Sequence, residues 1–383
     1  MAPNVIRVTH LISGLATGGT ELMLHKVLRG IQGQGIDSAV VSLTCGGPVA
    51  EMIRALGIPV HSLNMSRGIP DPLAAVRLLR MLRIERPHVL QTWLYHADLL
   101  GLLVGKLAGV PSIAWNIRCS TMDERYERGL TGLTLRLLAR LSGIPDAVVT
   151  NSHAGLALHE GIGYRPKRWA LIPNGFDLER FAPDRGAYAS VREELGLATD
   201  TVLIGLIARY DPVKDHATFL RAAAALGGSY PQTHFLLAGH GVDKSNAALA
   251  SLLRELGLGP QVHMLGERKD VPRLTAALDI ATCSSLGEGF PNIVGEAMAC
   301  AVPVASTDVG DAARIIGDTG RVAPPATPSA LAGAWAELLG MGQEARRSLG
   351  ARARRRVSEH YDLRGVAGQY VALYNEMAAR TAA

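Results

Sequence analysis

The chain has 383 residues, more than a single hydrophobic core usually serves, so we expect two folded domains. Its 48% hydrophobic and 19% charged residues are typical of a globular protein and exclude extended disorder. A net charge of +5 fits an anionic small ligand or an anionic membrane face, but is too small to indicate nucleic acid. The four cysteines (Cys45, Cys119, Cys283 and Cys300) lack metal or redox spacing, which favours reduced thiols in a cytoplasmic protein.

In the first half of the chain, short β-branched runs alternate with segments of helical spacing. VIRVTHLI (5–12) predicts a buried first strand and not a signal peptide, because no cationic segment precedes it. GTELMLHKVLRGIQGQG (19–35) then predicts a helix with a glycine stop. Further strand candidates are SAVVSL, IPVHSL, HVLQTW, SIAWNI, AVVTNS and WALIPN, with helical DPLAAVRLLRMLRIE and ADLLGLLVGKLAG between them. This alternation predicts a mostly parallel sheet with helices on both faces.

A second alternating run follows a break in the pattern. Turn residues over 174–200 predict a linker between an N-terminal domain, 1–173, and a C-terminal domain, 201–360. The strand candidates of the second domain are TVLIGLIAR, THFLLAGHG, QVHMLG, DIATCSS and VPVAST. The closing segment 361–383 is predicted to be helical, and the basic run ARARRR that ends at Arg356 is interpreted as a solvated helix face.

Open parallel sheets bind ligands beyond the carboxyl ends of their strands, so chemistry is sought just after each strand. In SSLGEGFPNIVGEAMA, Glu288 lies in the loop after a strand, Asn292 is the expected N-cap, and Glu296 lies about one turn into the next helix. The helix amides suit a phosphate, and a carboxylate beside them suits the two hydroxyls of a ribose. The alternative is that Glu296 supports the helix start and Glu288 is a solvated loop acid.

Two cations and two glycine-rich turns follow other strands. Arg209 and Lys214 flank the loop after TVLIGLIA, and their charges suit a diphosphate. Gly18 and Gly19 enter the first helix and could bring backbone amides close to phosphates, as could Gly239 after LLA. The alternative interpretations are solvated cations and turns that serve packing alone.

In the first half, three polar residues follow strand candidates. His96 comes after HVLQTW, and Asn116 and Arg118 lie at the end of SIAWNIR. Arg118 suits an anionic group, whereas a single histidine is as readily structural as functional.

These motifs together resemble those of family-4 retaining glycosyltransferases. Glu288 and Glu296, with GFPN between them and EAM after, resemble the paired-acid signature of that family; Arg209 and Lys214 match its diphosphate site. GLATGGTE (14–21) resembles its first glycine loop and IPNGFD (172–177) its linker. The resemblance implies an α/β protein of the GT-B fold, with two facing Rossmann-like domains, an interdomain cleft, and the helix of 361–383 crossing back to the first domain.

The resemblance also implies roles for individual residues. Glu296 would hold the ribose, Arg209 and Lys214 would neutralise the diphosphate, and Glu288 would bind hydroxyls of the transferred sugar. The implied donor site is completed by Gly18, Gly19, Gly239, Gly289, Phe290, Pro291, Asn292 and Ile293. Where many members of the family have a histidine, this sequence has Asn116-Ile117-Arg118, and we keep Arg118, Asn116 and His96 as alternative replacements.

The implied activity is transfer of a hexose, with retention, from a UDP- or GDP-linked sugar to a saccharide, lipid-linked or small-molecule acceptor, as in polysaccharide biosynthesis. No cofactor or metal is expected, and the sequence has no clear DxD motif. A cytoplasmic location is expected. The segment 124–143 is basic and amphipathic, and its apolar face is expected to pack in the core of the first domain; the alternative is an exposed face that makes peripheral contact with the inner face of a membrane. No nucleic-acid partner and no membrane-spanning helix are expected.

Four other functions make different demands on the sequence or on the assay. A nucleotide-sugar epimerase of the same architecture would need no acceptor, and a non-catalytic binding protein would show no turnover. A hydrolase would need Glu288 and Glu296 on opposite sides of a sugar, which their helix and loop positions disfavour. An NAD dehydrogenase would need the GxGxxG fingerprint, which is missing.

Overall fold

Buried apolar runs form the strands of the protein. Its computed structural model describes residues 5–66, 71–118 and 129–380, with the side chains of 129–131 left aside. The strands are β1 (Ile6–Ile12), β2 (Ile36–Ser42), β3 (Val60–Ser62), β4 (Val89–Trp93), β5 (Ser112–Ile117), β6 (Ala147–Thr150), β7 (Trp169–Leu171), β8 (Leu203–Ile207), β9 (His234–Ala238), β10 (Val262–Met264), β11 (Ile280–Cys283), β12 (Val304–Thr307) and β13 (Gly320–Ala323). All but β13 coincide with predicted strands.

Helices connect successive strands. They are α1 (Gly19–Ile31), α2 (Pro48–Arg54), α3 (Pro72–Glu85), α4 (Tyr95–Ala108), α5 (Gly129–Leu141), α6 (His153–Gly161), α7 (Arg185–Glu194), α8 (His216–Gly227), α9 (Ala247–Leu256), α10 (Val271–Ala276), α11 (Asn292–Ala299), α12 (Ala312–Ile316), α13 (Pro328–Gly340), α14 (Gln343–Tyr361) and α15 (Leu363–Ala379), with a 3-10 turn at Pro212–Lys214. Several begin at a side-chain cap. Asp71 accepts from the Leu73 amide at 2.9 Å at the start of α3, for example.

The chain divides into two units, the first formed by Met1–Gly175 with Leu363–Ala383 and the second by Phe176–Asp362. The first unit contains a parallel sheet in the order β3-β2-β1-β4-β5-β6-β7. Strand β1 pairs with β2 from Ile6 to Ile12 and with β4 on its other side. The order reverses between β1 and β4, which makes this the switch point where open sheets bind ligands.

Helix α15 belongs to the first unit although it ends the chain. Its residues Val366, Ala367 and Tyr370 lie in the core formed with α1 and one face of the sheet. A Cβ at Gly30 of α1 would lie 2.6 Å from the Cβ of Ala367, so glycine permits this close approach. The Ser112 hydroxyl also donates to the Met377 carbonyl at 3.1 Å, which joins α15 to the start of β5.

The second unit repeats the strand order of the first unit without a counterpart of β7. Its parallel sheet has the order β10-β9-β8-β11-β12-β13, and its switch point lies between β8 and β11. The stretch 174–200, predicted as a connector, contains α7. Buried Arg192 of α7 donates to Asp279 at 2.6 Å and to the Ala277 carbonyl at 2.9 Å, which fixes the helix in the second unit.

Candidate functional site

Two loops meet at the switch point of the second sheet. One follows β8 and carries Lys214, and the other follows β11 and carries Glu288. The Leu286 amide donates to the Val213 carbonyl at 2.8 Å, and the Ser284 hydroxyl donates to the Lys214 carbonyl at 2.9 Å. The two loops are therefore held together by hydrogen bonds between distant parts of the sequence.

Lys214 and Glu288 form an ion pair at this point. The Lys214 ammonium lies 2.5 Å from Glu288 Oε1, and their side chains are 24% and 15% exposed. The Ser285 hydroxyl donates to the same oxygen at 2.7 Å. Ser285 is itself fixed, because the Thr307 hydroxyl donates to its carbonyl at 2.7 Å. Two residues predicted for one site thus lie in direct contact.

Arg209 lies at the start of the loop that follows β8 and carries Lys214. Its Nε and Nη2 donate to Asp211 Oδ2 at 3.2 and 3.1 Å, while the arginine side chain is 64% exposed. The other carboxylate oxygen of Asp211 accepts from the Val213 amide at 3.0 Å. Asp211 therefore fixes the orientation of the guanidinium and leaves the group accessible to an anion from solvent.

Helix α11 follows the Glu288 loop and carries Glu296 in its second turn. Pro291 occupies the cap position and makes no side-chain cap bond, so the expectation that Asn292 is the N-cap was wrong. Proline fits there because it fixes its own backbone before the helix and has no amide hydrogen. Asn292, Ile293 and Glu296 are half-buried. Ile293 and Glu296 are three residues apart and lie on the same side of the helix start.

Phe290 has its side chain in the core and not in the loop surface. It is 7% exposed, and its ring centroid lies 6.1 Å from Phe176 and 5.6 Å from Tyr361. Any contact between Phe290 and a nucleotide-sugar donor would therefore involve the backbone of Phe290. The aromatic cluster also explains Gly295, since a Cβ there would lie 2.0 Å from the Phe176 ring.

The glycines of the site allow backbones to approach closely. Gly239 has φ +151°, and a Cβ there would lie 2.1 Å from the Ala208 carbonyl oxygen, next to Arg209. Gly289 accepts from the Asp311 amide at 3.0 Å. Gly310, with φ +56°, would place a Cβ 2.3 Å from the Glu288 carbonyl. These glycines position the loops. Close packing of the backbone is sufficient to explain why glycine occurs there, and it is also compatible with binding of a sugar donor.

Arginines from α14 contact the end of α11 and the neighbouring helix α12. Arg354 donates to the carbonyls of Ala299, Phe181 and Leu178, the last two at 3.1 Å. Arg356 donates to the Ile315 carbonyl at 2.9 Å. The interpretation of ARARRR as a solvated face therefore needs correction, because only part of this run, such as Arg352 and Arg355, is exposed.

In the first unit, Gly18 and Gly19 begin α1. Gly18 is the cap residue with extended backbone (φ −153°), and its carbonyl accepts from the Leu22 amide at 3.0 Å. A Cβ on Gly18 would lie 2.4 Å from a carboxylate oxygen of Glu21. The glycines thus lie at a helix start at the carboxyl end of β1, where the sequence placed them.

His96 and Arg118 lie in different surroundings within the first unit. His96 is exposed in the first turn of α4. Arg118 is half-buried and donates to Asn116 at 3.1 Å, to the Tyr370 hydroxyl at 2.7 Å and to Asn174. Burial lowers the pKa of Arg118, although an arginine remains a cation under these conditions. Arg118 and Asn116 thus form one network, and His96 is not part of it.

Several residues of these networks were missed from the sequence. Asp211 and Ser285 hold the predicted Arg209 and Glu288, and Asn174 and Tyr370 hold Arg118. For Asp211 and Ser285 the available signal was their position just after a strand, and for Asn174 it was the IPNGFD motif. Tyr370 gave no signal, because it comes from α15 at the end of the chain.

Two absences hold for the residues that the structure describes. Within them, no group of three or more His, Cys, Asp or Glu side chains is arranged to hold a metal ion. Of the helices in the described ranges, none combines the length and apolar character needed to cross a bilayer. Free thiols occur at exposed Cys45 and at buried Cys283 and Cys300, whereas Cys119 lies outside the described residues.

Two family models match the chain in succession. Residues 17–180 match the model of Glycosyltransferase Family 4, and residues 201–341 match that of the Glycosyl transferases group 1. EpsF of Bacillus subtilis (strain 168) is 28% identical over 312 residues, 79% of each chain. The UDP-Gal:alpha-D-GlcNAc-diphosphoundecaprenol alpha-1,3-galactosyltransferase of Escherichia coli is 25% identical over 273 residues, 69% of this chain and 70% of the relative.

Solved structures share the fold along almost the whole chain. Anabaena HepE in complex with UDP superimposes with a TM-score of 0.85 at 21% identity, covering 97% of this chain and 100% of that one. Sucrose-phosphate synthase from Thermosynechococcus elongatus gives a TM-score of 0.80 at 19% identity, covering 98% and 100%. The predicted α/β architecture of the GT-B type is thereby confirmed. The chain belongs to the family-4, group 1 glycosyltransferases.

Proposed function

We propose that this glycosyltransferase moves a hexose, with retention of configuration, from a UDP- or GDP-linked sugar to a saccharide or lipid-linked acceptor. The second unit holds the donor in this proposal, and residues of the first unit hold the acceptor. The solved HepE structures carry UDP or UDP-glucose, and the Escherichia coli relative is named for a UDP-Gal donor and a diphosphoundecaprenol-linked acceptor. These ligands support the proposed classes of donor and acceptor.

The contact between Lys214 and Glu288 carries the proposal. Lys214 is predicted to hold the diphosphate, and Glu288 is predicted to hold hydroxyls of the transferred sugar. Sugar and diphosphate are joined by a single glycosidic bond, so their binding groups must be neighbours. The two side chains are 2.5 Å apart and come from loops 74 residues apart in sequence. The ammonium has three donors, so Lys214 is able to hold a phosphate oxygen and Glu288 together.

Charge develops on the leaving phosphate as the glycosidic bond breaks. Lys214 and the accessible guanidinium of Arg209 stabilise that charge where it appears, which lowers the barrier instead of merely tightening binding. Asp211 fixes Arg209 beforehand, so little reorganisation accompanies the reaction. The two cations support a leaving-group role that needs no divalent metal and no other cofactor in this proposal.

The nucleoside lies at helix α11 in this proposal. Glu296 accepts from the two ribose hydroxyls, and amides at the helix start donate to phosphate oxygens. In the first unit, Arg118 is held by Asn116, Asn174 and Tyr370 and is the cation proposed to bind an anionic group there. His96, exposed at the start of α4, remains an alternative on that unit.

The product's anomeric configuration tests the proposal. The enzyme is incubated with UDP-α-glucose, UDP-α-galactose or GDP-α-mannose and a panel of N-acetylglucosaminyl diphosphate lipids and simple glycosides. We expect released nucleoside diphosphate together with an α-linked product, identified in NMR by the small H1–H2 coupling of a glucose or galactose product and by the one-bond C1–H1 coupling of a mannose product. A β-linked product would contradict retention. A changed sugar on the nucleotide without an acceptor would instead indicate an epimerase.

A further inference from the structure

Three neighbouring helices, α3, α4 and α5, cover one face of the first sheet. Helix α4 contacts both α3 and α5. Their inner sides supply core residues such as Leu78, Leu82, Leu102 and Leu138, all at most 2% exposed. The outer side of these three helices, called the α3–α5 face below, is turned to solvent.

The α3–α5 face exposes large apolar side chains. Ile84 is 82% exposed, Leu73 is 72% and Leu107 is 69%. Leu133 and Leu103 follow at 63% and 53%. Isolated exposed leucines are ordinary, but a group this dense on adjacent helices marks an interaction surface.

Basic residues lie among these apolar ones, and exposed acids are missing from the described residues of the three helices. The exposed cations are Arg77, Arg80, Arg83, Lys106, Arg136 and Arg140. Of the helical acids, Asp98 is fully buried and accepts from the Thr92 hydroxyl at 2.5 Å, and Glu85 is half-buried and accepts from the Thr9 hydroxyl at 3.2 Å. The face is therefore both apolar and cationic. The N-cap Asp71 pairs with Arg77 at 3.0 Å and offsets one of the cations.

A cationic pocket adjoins the carboxyl ends of α3 and α4. It has a volume of about 520 Å³ and is lined by Arg7, Arg83, Arg86 and His88 among others. The Arg7 guanidinium donates to the Arg86 carbonyl at 2.9 Å, so its position is fixed. Three guanidinium groups around one pocket suit a phosphate group.

We propose that the α3–α5 face docks on a membrane surface that contains anionic phospholipid. Leucine and isoleucine side chains enter the headgroup boundary, arginines and Lys106 contact lipid phosphates, and one headgroup phosphate enters the pocket beside Arg83. A second copy of the chain would bring cations against cations, and nucleic acid would leave the apolar side chains without a partner. The proposal goes beyond sugar transfer and does not depend on it.

Co-sedimentation of the full chain with lipid vesicles tests the proposal. We expect binding to phosphatidylcholine vesicles that contain phosphatidylglycerol, weak binding to phosphatidylcholine alone, and release by added salt. Arg80→Glu with Lys106→Glu should weaken binding about 25-fold or more, since each cation near an anionic surface contributes roughly fivefold. Ile84→Ser with Leu107→Ser should weaken it as well, because less apolar surface enters the lipid.

Matched controls use exposed residues outside the three helices of this face. Arg352→Glu with Arg355→Glu makes the same charge change on exposed residues of α14 and should leave vesicle binding within about twofold. Ile162→Ser with Val322→Ser controls for lost apolar surface, at 39% and 38% exposed. Nucleoside-diphosphate binding by each variant, measured by calorimetry without lipid, reports folding and the donor site separately.

Three results would overturn the proposal. One is equal sedimentation of the wild type with neutral and anionic vesicles, or none with either. Another is equal loss of binding in the α3–α5 and α14 charge variants. The third is a stable dimer in analytical ultracentrifugation that Ile84→Ser with Leu107→Ser dissociates, which would make the face a contact between copies.

Discussion

At the scale of single residues, His10 lies where a charge is least tolerated. It is fully buried in the first unit, with its ring 6.0 Å from Tyr374 of α15 and its Nδ1 accepting from the Trp93 indole at 3.4 Å. Burial lowers the pKa of His10 from 6.5 to about 3. The neutral ring is therefore part of the surface on which α15 packs. His10 is thus a titratable group at the contact between the sheet and the terminal helix.

This burial predicts a pH dependence of stability. The unfolded chain takes up a proton at His10 below about pH 6.5, while the folded chain resists until about pH 3, so stability is full above pH 6.5 and falls through this window. Between pH 7 and pH 5 the loss from His10 alone is about 2 kcal/mol. Urea unfolding followed by tryptophan fluorescence should show that His10→Asn loses correspondingly less. Exposed His96→Asn serves as the control, and equal losses in wild type and His10→Asn would refute the assignment.

Residues at strand ends were largely predictable, and their partners were not. The sequence indicates Lys214 and Glu288 because each follows a predicted strand, and the structure brings them into contact. The sequence does not indicate Asp211 and Ser285, since a short polar residue in a loop gives the same pattern whether it orients a neighbour or faces water. Whether Phe290 points inward depends on Phe176 and Tyr361, which are far away in sequence.

At the scale of elements, α14 fixes the helix that carries Glu296. Arg354 places one guanidinium against three carbonyls, including that of Ala299 at the end of α11. The local run ARARRR cannot predict this, because burial of each arginine depends on which carbonyls lie opposite.

Helix α7 is not predicted from the sequence for a related reason. Arg185–Glu194 has few apolar residues, and hydrogen bonds of Asp184 and Arg192 hold the helix in place. The short strand β13 gave too little apolar signal.

Removing the Arg354 guanidinium should destabilise the second unit. Arg354→Ala is expected to lower the free energy of unfolding by about 2–3 kcal/mol, because hydrogen bonds from a charged donor to half-buried carbonyls are lost. Urea unfolding monitored by circular dichroism measures the change. The neighbouring variant Arg355→Ala, at an exposed position, should remain within about 0.5 kcal/mol of the wild type. Equal stability of the two variants would mean that Arg354 does not clamp α11.

At the scale of the whole molecule, the same order of six strands appears in both units, and the first unit adds β7. The alternation of apolar runs and helical segments predicted parallel sheets, but local patterns do not fix strand order. In each unit the order reverses beside the first strand, at β1 and β4 and again at β8 and β11. That reversal places the loops carrying Lys214 and Glu288 side by side. The resemblance to a glycosyltransferase family implies this topology, and the structure shows it. The roles of individual site residues remain predictions.

Calorimetric titration of UDP and GDP tests the central claim most directly, namely that the second unit holds a nucleoside diphosphate at α11. We expect wild type to bind one of them and Glu296→Gln to bind it about 10- to 100-fold more weakly, because charged hydrogen bonds to the ribose are lost. Glu288→Gln should keep this affinity while losing sugar transfer, and exposed Glu255→Gln should keep both. Equal affinity in wild type and Glu296→Gln, or no binding by the wild type, would contradict the claim.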